Sequence, residues 1–187
     1  MTSPVANKRV QAAQRTRENL LETGLMLAEQ LGLEGLSVNA VVEAAGVSKG
    51  TFFHHFRDRT SYLLALHRRF HDSLYDKVMA AIGQLPAGRA RLEAASRTYL
   101  DGCLRNHGVK ALLLEARGLL PIQEEVMRRN RLSVDAVADD FEALGWPYPR
   151  SAARLWIAAT AECALIELEL GRPDAAARSV IDHFIDP

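Results

Sequence analysis

Apolar residues recur at intervals of three and four along most of this chain, which is the spacing of one face of an α-helix. The first such run contains Leu20, Leu21, Leu25, Ala28 and Leu31. Later runs cover residues 37–45, 48–55, 58–82 and about 89–106, 109–119, 121–144, 150–170 and 173–185. No segment shows the strict alternation of apolar and polar residues that would predict a β-strand. The pattern predicts an all-α protein of about nine helices.

Capping residues mark where several of these helices begin and end. Thr16 is a candidate N-cap for the first helix, and Gly32 is placed to end it. Ser37 is a candidate N-cap for the second helix, and Gly46 stops that helix. Ser48 is a candidate N-cap for a third, very short helix. The spacing predicts a helix, a tight turn and a second short helix within residues 37–55.

The distribution of charge is more informative than the total. The formal net charge is zero, so the overall balance does not indicate a polyanionic partner. Residues 1–17 nevertheless contain Lys8, Arg9, Arg15 and Arg17 and no acidic residue. We expect residues 1–13 to form a flexible basic arm, which is either a solubilising tail or a segment that touches adjacent DNA.

Composition also narrows the class of protein. The two cysteines, 60 residues apart, form neither a disulfide framework nor a zinc site. The N-terminus lacks the apolar region of a signal peptide, and no apolar run approaches the roughly 20 residues of a membrane helix. A cytoplasmic protein without membrane contact is expected. The motifs of common hydrolases, metalloproteases and nucleotide-binding enzymes are absent, so we expect neither an enzyme nor a cofactor nor a metal.

The segment GVSKGTFFHHF, residues 46–56, suggests a surface that reads a partner. Gly46 tolerates the positive φ that a sharp reversal between two helices needs. Gly50 lets the backbone approach a phosphate, and Lys49 and Thr51 can reach phosphates or base edges. Phe52 and Phe56, four residues apart, can face the core together. The two histidines between them then project toward the partner.

These residues resemble the tetracycline-repressor (TetR) family of bacterial transcription regulators. The resemblance covers about residues 14–66 and includes Leu20-Leu21, Gly32, Ser37-Val38, Val41, the run Ala45 to Phe52, His55, Phe56 and Leu63-Leu64. It implies a three-helix DNA-binding domain at 1–57 and a helical ligand-binding and dimerisation domain at 58–187. The DNA contacts that it implies are Ser37, Ser48, Lys49, Gly50, Thr51, Phe53, His54, His55 and Arg59.

Some positions depart from the family pattern. Phe53 stands where the family usually has a tyrosine whose hydroxyl holds a phosphate, which weakens the expected grip on the backbone. Arg59 replaces a lysine but keeps the cation, and Thr60 replaces a glutamate. Gly24 and Val42 replace small alanines of the helix packing.

The histidines have a metal-site alternative. His54 and His55 are neighbours on a helix and point about 100° apart, so they cannot chelate one ion together. His67 and His71 are four residues apart on one face, a spacing that could hold a metal. No carboxylate-rich cluster completes that site, so a solvated helix face is the preferred interpretation.

Other polar and soft residues have ordinary structural interpretations. Cys103 and Cys163 fall in apolar helical contexts and are expected to be small core residues. Glu162, Glu167 and Glu169 are expected to form an exposed face.

The resemblance implies a homodimeric regulator, most often a repressor, released from a pseudo-palindromic operator by a small-molecule effector. The candidate effector site comprises Tyr99, Cys103, Arg117, Met127, Trp146 and Trp156. The candidate dimer interface comprises Ala152, Trp156, Ala159, Cys163, Ile166, Val180, Ile181 and Phe184.

Two alternatives to a ligand-controlled regulator remain open. One is a DNA-binding protein without an effector, whose second domain only dimerises or binds a protein. The other is a helical-bundle enzyme, which residues 1–60 argue against.

Overall fold

The computed structural model describes residues 4–186, with side chains from residue 7 onward except those of residues 33, 34 and 112. In this part of the chain every regular element is a helix, as the periodicity predicts. The nine α-helices are α1 Pro4–Gly35, α2 Val38–Ala45, α3 Lys49–His55, α4 Arg59–Ile82, α5 Arg89–Arg105, α6 His107–Glu115, α7 Leu120–Ala143, α8 Pro149–Leu170 and α9 Ala175–His183. A short 3-10 turn at Ala116–Gly118 joins α6 to α7.

The first helix begins earlier than the caps predict. Thr16 is not an N-cap, because α1 already runs from Pro4 and the Thr16 hydroxyl donates to the Ala12 carbonyl at 3.1 Å. Residues 4–13, expected as a flexible arm, are the first turns of α1, and residues 1–3 lie outside the described residues. Gly32 does interrupt the helix, with φ 62° and ψ −169°. The last residues of α1 therefore follow a kink at the predicted position.

The first three helices share a core with the start of α4. Leu20, Val41, Phe52 and Leu63 are fully buried there. Tyr62 of α4 donates its hydroxyl to the Leu20 carbonyl at 2.7 Å. The division of the chain at residues 57 and 58 stays a prediction, because α4 packs into this core before it continues into the second half of the molecule.

Gly24 has a packing reason at this junction. A Cβ atom built on Gly24 would lie 2.0 Å from the Tyr62 hydroxyl oxygen. The alanine typical of this position would therefore collide with the side chain that ties α4 to α1. This close approach explains why the chain departs from the family pattern at Gly24.

Helices α4 to α9 form a second bundle, in which α8 packs against α5, α7 and α9. Cys103 and Cys163 are both buried in it, as predicted. Glu167 does not follow its prediction: it is buried and forms an ion pair with Arg178, whereas Glu162 and Glu169 are exposed. Its carboxylate can be buried because Arg178 of α9 neutralises it. In the described residues no helix is long and apolar enough to span a membrane.

Candidate nucleic-acid interface and ligand cavity

The turn between α2 and α3 is built by local capping bonds. The Ser37 hydroxyl accepts a hydrogen bond from the Ala40 amide at 3.1 Å and so satisfies the start of α2. At the other end Gly46 adopts φ 66° and ψ 32°, and the Val47 amide donates to the Val42 carbonyl at 3.0 Å. A left-handed residue closes the helix and reverses the chain direction. The predicted helix-turn-helix is therefore present.

Ser48 fixes the beginning of α3. Its hydroxyl accepts from the Thr51 amide at 3.0 Å and lies 2.9 Å from the Thr51 hydroxyl. Lys49 and Gly50 are exposed beside it, and Thr51 is half-buried. The small and cationic side chains predicted to contact DNA thus lie together at the open end of a short helix.

The two faces of α3 differ sharply in burial. Phe52 and Phe56 are 0% and 3% exposed and pack on the Tyr62 ring, with centroids 5.0 and 4.9 Å apart. On the opposite side His54 is exposed and Phe53 is 51% exposed. Aromatic packing on one side holds the short helix in place, and the other side is free to enter a groove.

Two further side chains, Arg17 and His55, contribute to the polar surface around α3. The Arg17 guanidinium lies 5.1 Å from the centroid of the Phe56 ring, which places positive charge beside α3. His55 is half-buried, and burial followed by repulsion from His54 and Arg17 lowers its pKa. His55 is therefore a neutral hydrogen-bonding group near neutral pH. Arg17 was not among the predicted contacts, although the basic run at the N-terminus already contained it.

Side chains at the edges of the turn hold it to its neighbours. Arg59 donates from Nε to the Leu36 carbonyl at 3.2 Å, which ties α4 to the segment just before α2. The Asn19 side-chain amide donates to the Ala45 carbonyl at 3.1 Å. Neither bond could be read from helical spacing, because each joins residues more than 20 positions apart.

A cavity of about 530 Å³ lies among α4, α5, α7 and α8. Of the predicted effector residues, Tyr99, Arg117 and Trp156 line it together. Cys103 is buried nearby but does not line it. Met127 is exposed, and Trp146 instead stacks on Phe184 with centroids 5.8 Å apart. The structure therefore brings together half of the predicted set around one space.

The cavity wall also contains two histidines whose prediction was wrong. His67 and His71 do not form a solvated helix face: His67 is 2% exposed, and its ring lies 4.3 Å from that of His71. Burial, followed by the charge of Arg129, lowers the pKa of His67 to about 4. Burial also lowers the pKa of His71 well below its ordinary value, and Lys110 is the next cause. In the described part of the chain no cluster of three or more His, Cys, Asp or Glu residues could hold a metal.

A pH dependence of stability follows from the low pKa of His67. As the pH falls from about 6.5 toward 4, the unfolded chain binds a proton at this residue and the folded chain does not, so the folded state loses stability. Between pH 7 and pH 5 this group lowers the free energy of unfolding by about 2 kcal/mol.

Urea unfolding at both pH values should show a smaller loss of unfolding free energy for His67→Leu than for the unmodified protein. His183→Gln, which changes an exposed histidine, should keep the full loss. Equal losses in all three proteins would contradict the assignment.

The predicted dimer residues divide into two groups. Ala152, Trp156, Cys163 and Ile181 are 2–4% exposed and pack inside the protomer, so they offer little surface to a partner. Ala159 and Phe184 are half-buried, Ile166 is 36% exposed and Val180 is 64% exposed. Leu155 and Leu170 lie on the same side of α8 as Ile166 and are also exposed. We call the set Leu155, Ala159, Ile166, Leu170 and Val180 the α8–α9 face.

Comparisons with known proteins agree with this architecture. Residues 20–66 match the family model described as bacterial regulatory proteins, tetR family. A transcriptional regulator from Rhodococcus sp. Rha1 has a similar structure, with a TM-score of 0.77 at 24% identity over 91% of this chain and 94% of that one. The reduced form of NemR from Escherichia coli gives a TM-score of 0.73 at 20% identity, covering 92% and 96%. These similarities concern the fold.

Curated relatives are similar over part of their length. The HTH-type transcriptional repressor KstR2 of Rhodococcus jostii is 30% identical over 112 residues, or 60% of this chain and 54% of that protein. The HTH-type transcriptional repressor NemR of Escherichia coli K12 is 34% identical over 76 residues, 41% of this chain and 38% of that protein. This chain thus spans about half the length of the first relative and less of the second. Through the helix-turn-helix and the helices around it, residues 20–66 are similar to the tetR family of bacterial regulatory proteins.

Proposed function

We propose that this protein is a homodimeric transcriptional regulator that represses at a pseudo-palindromic operator and is released by a small molecule. The observation that carries the proposal is the geometry of α3. Its aromatic face is locked against Tyr62, and its opposite face presents Lys49, Phe53 and His54 to solvent. A helix held in this way can enter a major groove with its N-terminal residues facing base edges.

The remaining predicted contacts have distinct roles in this proposal. Lys49 and Arg17 supply positive charge, which binds phosphates without regard to sequence. Thr51, His54 and His55 supply hydrogen-bonding groups on the side of the base edges. Ser37 and Ser48 cap the two helices, and Gly50 leaves room for the DNA backbone. Phe53 brings an exposed ring without a hydroxyl, so it contributes packing against the sugar-phosphate backbone and no hydrogen bond.

A ligand-controlled regulator is favoured over one without an effector by the cavity. Its volume of about 530 Å³ lies within the range of roughly 300–1,000 Å³ found for small-molecule sites. Its wall combines apolar side chains with a few polar groups, among them Tyr99, Arg117 and Thr160. A ligand there can change the spacing of the two reading helices only if it binds one arrangement of α4 better than the other. Helix α4 is suited to this role because it lines the cavity and packs against α3 through Tyr62.

The DNA-binding part of the proposal predicts two different losses. Genomic fragments that bind the purified protein would be selected first, and one of them and its scrambled version then used as probes. Lys49→Ala should weaken binding to both probes, since a phosphate contact carries no sequence information. His54→Ala should weaken binding mainly to the selected fragment, by about 1–3 kcal/mol or roughly 5- to 150-fold, if it contacts a base edge.

The control for these titrations is Lys77→Ala, which removes an exposed lysine on α4 outside the α2–α3 turn. It should leave both affinities unchanged. Unchanged affinity of both Lys49→Ala and His54→Ala for the selected fragment would overturn the assignment of α3 as the reading helix.

A further inference from the structure

A buried cation lies behind the cavity wall, and the side chains that the structure describes include no anionic partner for it. Lys110 of α6 is 2% exposed, and its ammonium lies 3.3 Å from the Tyr99 hydroxyl and 5.6 Å from the centroid of the Tyr99 ring. Among the side chains that the structure describes, it forms no ion pair with a carboxylate. Lysines are rarely buried to this extent unless they are paired with an anion. Because Tyr99 lines the cavity, the charge of Lys110 lies just behind the cavity wall.

The acidic side chains that the structure describes on α7 and on the cavity wall do not compensate for this charge. Glu125 is buried but receives hydrogen bonds from Arg68 and Arg128 and forms a third ion pair with Arg129. Burial alone would raise the pKa of Glu125. The hydrogen bonds and charges of its arginine partners instead hold this pKa at about 2. Glu125 is thus fully occupied by arginines and is not available to Lys110.

The two carboxylates on the cavity wall, Asp72 and Glu162, are also unavailable. Asp72 is largely exposed and pairs with Arg129 at 2.7 Å, and Glu162 is exposed. The region around Tyr99, Lys110 and Arg117 is therefore cationic. The lowered pKa of His71 has the same origin, since Lys110, Arg129 and Arg117 all contribute to it after burial.

Two buried hydrogen-bonding atoms belong to side chains of the same wall. The His67 Nδ1 and the Trp156 Nε1 are buried and have no hydrogen-bond partner in the described structure, and both residues are at most 3% exposed. Buried polar atoms in folded proteins are almost always satisfied. The Trp156 Nε1–H can only donate, so what it lacks is an acceptor.

Much of the remaining cavity wall is apolar. Leu74, Val78, Met79 and Ile82 form one side along α4, and Ala95 and Val137 continue it from α5 and α7. A molecule that fills the space must place a hydrocarbon body against these residues while it presents an acceptor to the polar region.

We propose that the cavity binds an amphipathic carboxylate, with its apolar body along α4 and its carboxylate directed to the region of Tyr99, Lys110, Arg117 and Trp156. This inference rests on the proposed function only for the consequence of binding, because the charge and the apolar surface define the ligand class by themselves. The carboxylate supplies both the charge that Lys110 lacks and the acceptor that Trp156 lacks.

Binding would be measured by calorimetry with the full-length chain and three probes that share one hydrocarbon body: decanoate, decanol and decyltrimethylammonium. Decanoate should bind at least about tenfold more tightly than decanol, equivalent to one charge-assisted hydrogen bond, and the cation should bind most weakly. Equal affinity for decanoate and decanol, preference for the cation, or no binding of decanoate would each overturn the proposal.

Variants localise the carboxylate. Lys110→Met removes the buried charge and keeps an unbranched apolar chain, so it should reduce decanoate affinity about tenfold or more and leave decanol affinity unchanged. Arg117→Gln tests the same region at a residue that is only partly buried and provides an answer if Lys110→Met fails to fold. Arg97→Gln, which alters an exposed arginine on α5, is the matched control. If neither cavity variant changes the preference for decanoate, the carboxylate does not lie in this region.

The same probes separate this inference from the proposed function. Release of the selected DNA fragment is measured independently, by adding decanoate to the preformed complex. Decanoate that binds in the cavity without releasing DNA would confirm the ligand class and contradict regulation through this cavity. Failure of decanoate to bind, with intact DNA binding, would contradict the ligand class and leave the DNA-binding function standing.

Discussion

Replacement of Ile166 by glutamate is expected to give monomers that bind operator DNA poorly. Ile166 belongs to the α8–α9 face and is 36% exposed in the protomer. A two-fold axis through this face would place two carboxylates in the same apolar contact. Each buried, unpaired charge costs several kcal/mol, so the dimer dissociation constant should rise by about a thousandfold or more.

The loss of DNA affinity follows from the symmetry. A dimer reads two half-sites about one helical turn apart, and a monomer makes only half of those contacts. Sedimentation velocity at micromolar concentration measures the association, and titration of the selected fragment measures the binding. Leu120→Glu is the matched control, because Leu120 is 64% exposed at the start of α7 and does not belong to the α8–α9 face. That variant should remain dimeric.

Two results would contradict the interface. If the unmodified protein is monomeric at micromolar concentration, neither the α8–α9 face nor a palindromic operator is supported. If Ile166→Glu remains dimeric, the contact uses another surface. A stable interface of this kind buries about 2,000 Å² or more, so the exposed Leu155 and Val180 must also become covered.

The structure of the α2–α3 turn could be predicted almost completely from the sequence because its determinants are local. Ser37 and Ser48 cap the helices through bonds to amides three residues away, and Gly46 takes the left-handed conformation on its own. Phe52 and Phe56 are four residues apart, so their common burial follows from helical geometry. Each of these features depends only on residues within about four positions of one another.

Apart from the earlier start of α1, the errors concern contacts between helices. The polar side chain of His67 predicts a solvated face, although its spacing with Leu63, Phe70 and Leu74 places it on the buried stripe of α4. The spacing along α4 thus indicates that His67 is buried. The polar character of the side chain favours exposure, and that indication is wrong. Lys110 lies between apolar neighbours, but its burial beside Tyr99 depends on how α6 packs against α5. The spacing of residues along one helix does not indicate which side chains of another helix it will contact.

The predicted interface illustrates the same limit. The apolar positions of α8 were assigned correctly as a stripe, but periodicity does not divide a wide stripe between the protomer and a partner. Trp156 turns inward to Phe141 and the cavity, whereas Leu155, the next residue along the chain, faces outward. Only the positions of α5, α7 and α9 decide which part of the stripe is already covered.

The other large effect is expected at a buried ion pair that holds α9 in place. The Glu167 carboxylate, 1% exposed, accepts from Arg178 Nη2 at 2.8 Å and from the Asp174 amide at 3.1 Å. Arg178 also donates from Nη1 to Asp101 at 2.9 Å. These bonds join α8 and α9 to α5.

Glu167→Ala is expected to lower the free energy of unfolding by about 3–5 kcal/mol, because it leaves the Arg178 guanidinium and the Asp174 amide without their principal acceptor. This is a large fraction of the roughly 5–15 kcal/mol that stabilises a typical domain. Urea unfolding measures the change, and Glu169→Ala, at an exposed position one half-turn away, should shift it by no more than about 0.5 kcal/mol. The double variant Glu167→Leu with Arg178→Met removes both charges, keeps the side-chain volume and should recover most of the lost stability.

A loss of stability in Glu167→Ala as small as that in Glu169→Ala would show that α9 is held by apolar packing alone. A double variant less stable than Glu167→Ala would show that the charges themselves, and not the absence of an unpaired one, determine the stability of this corner.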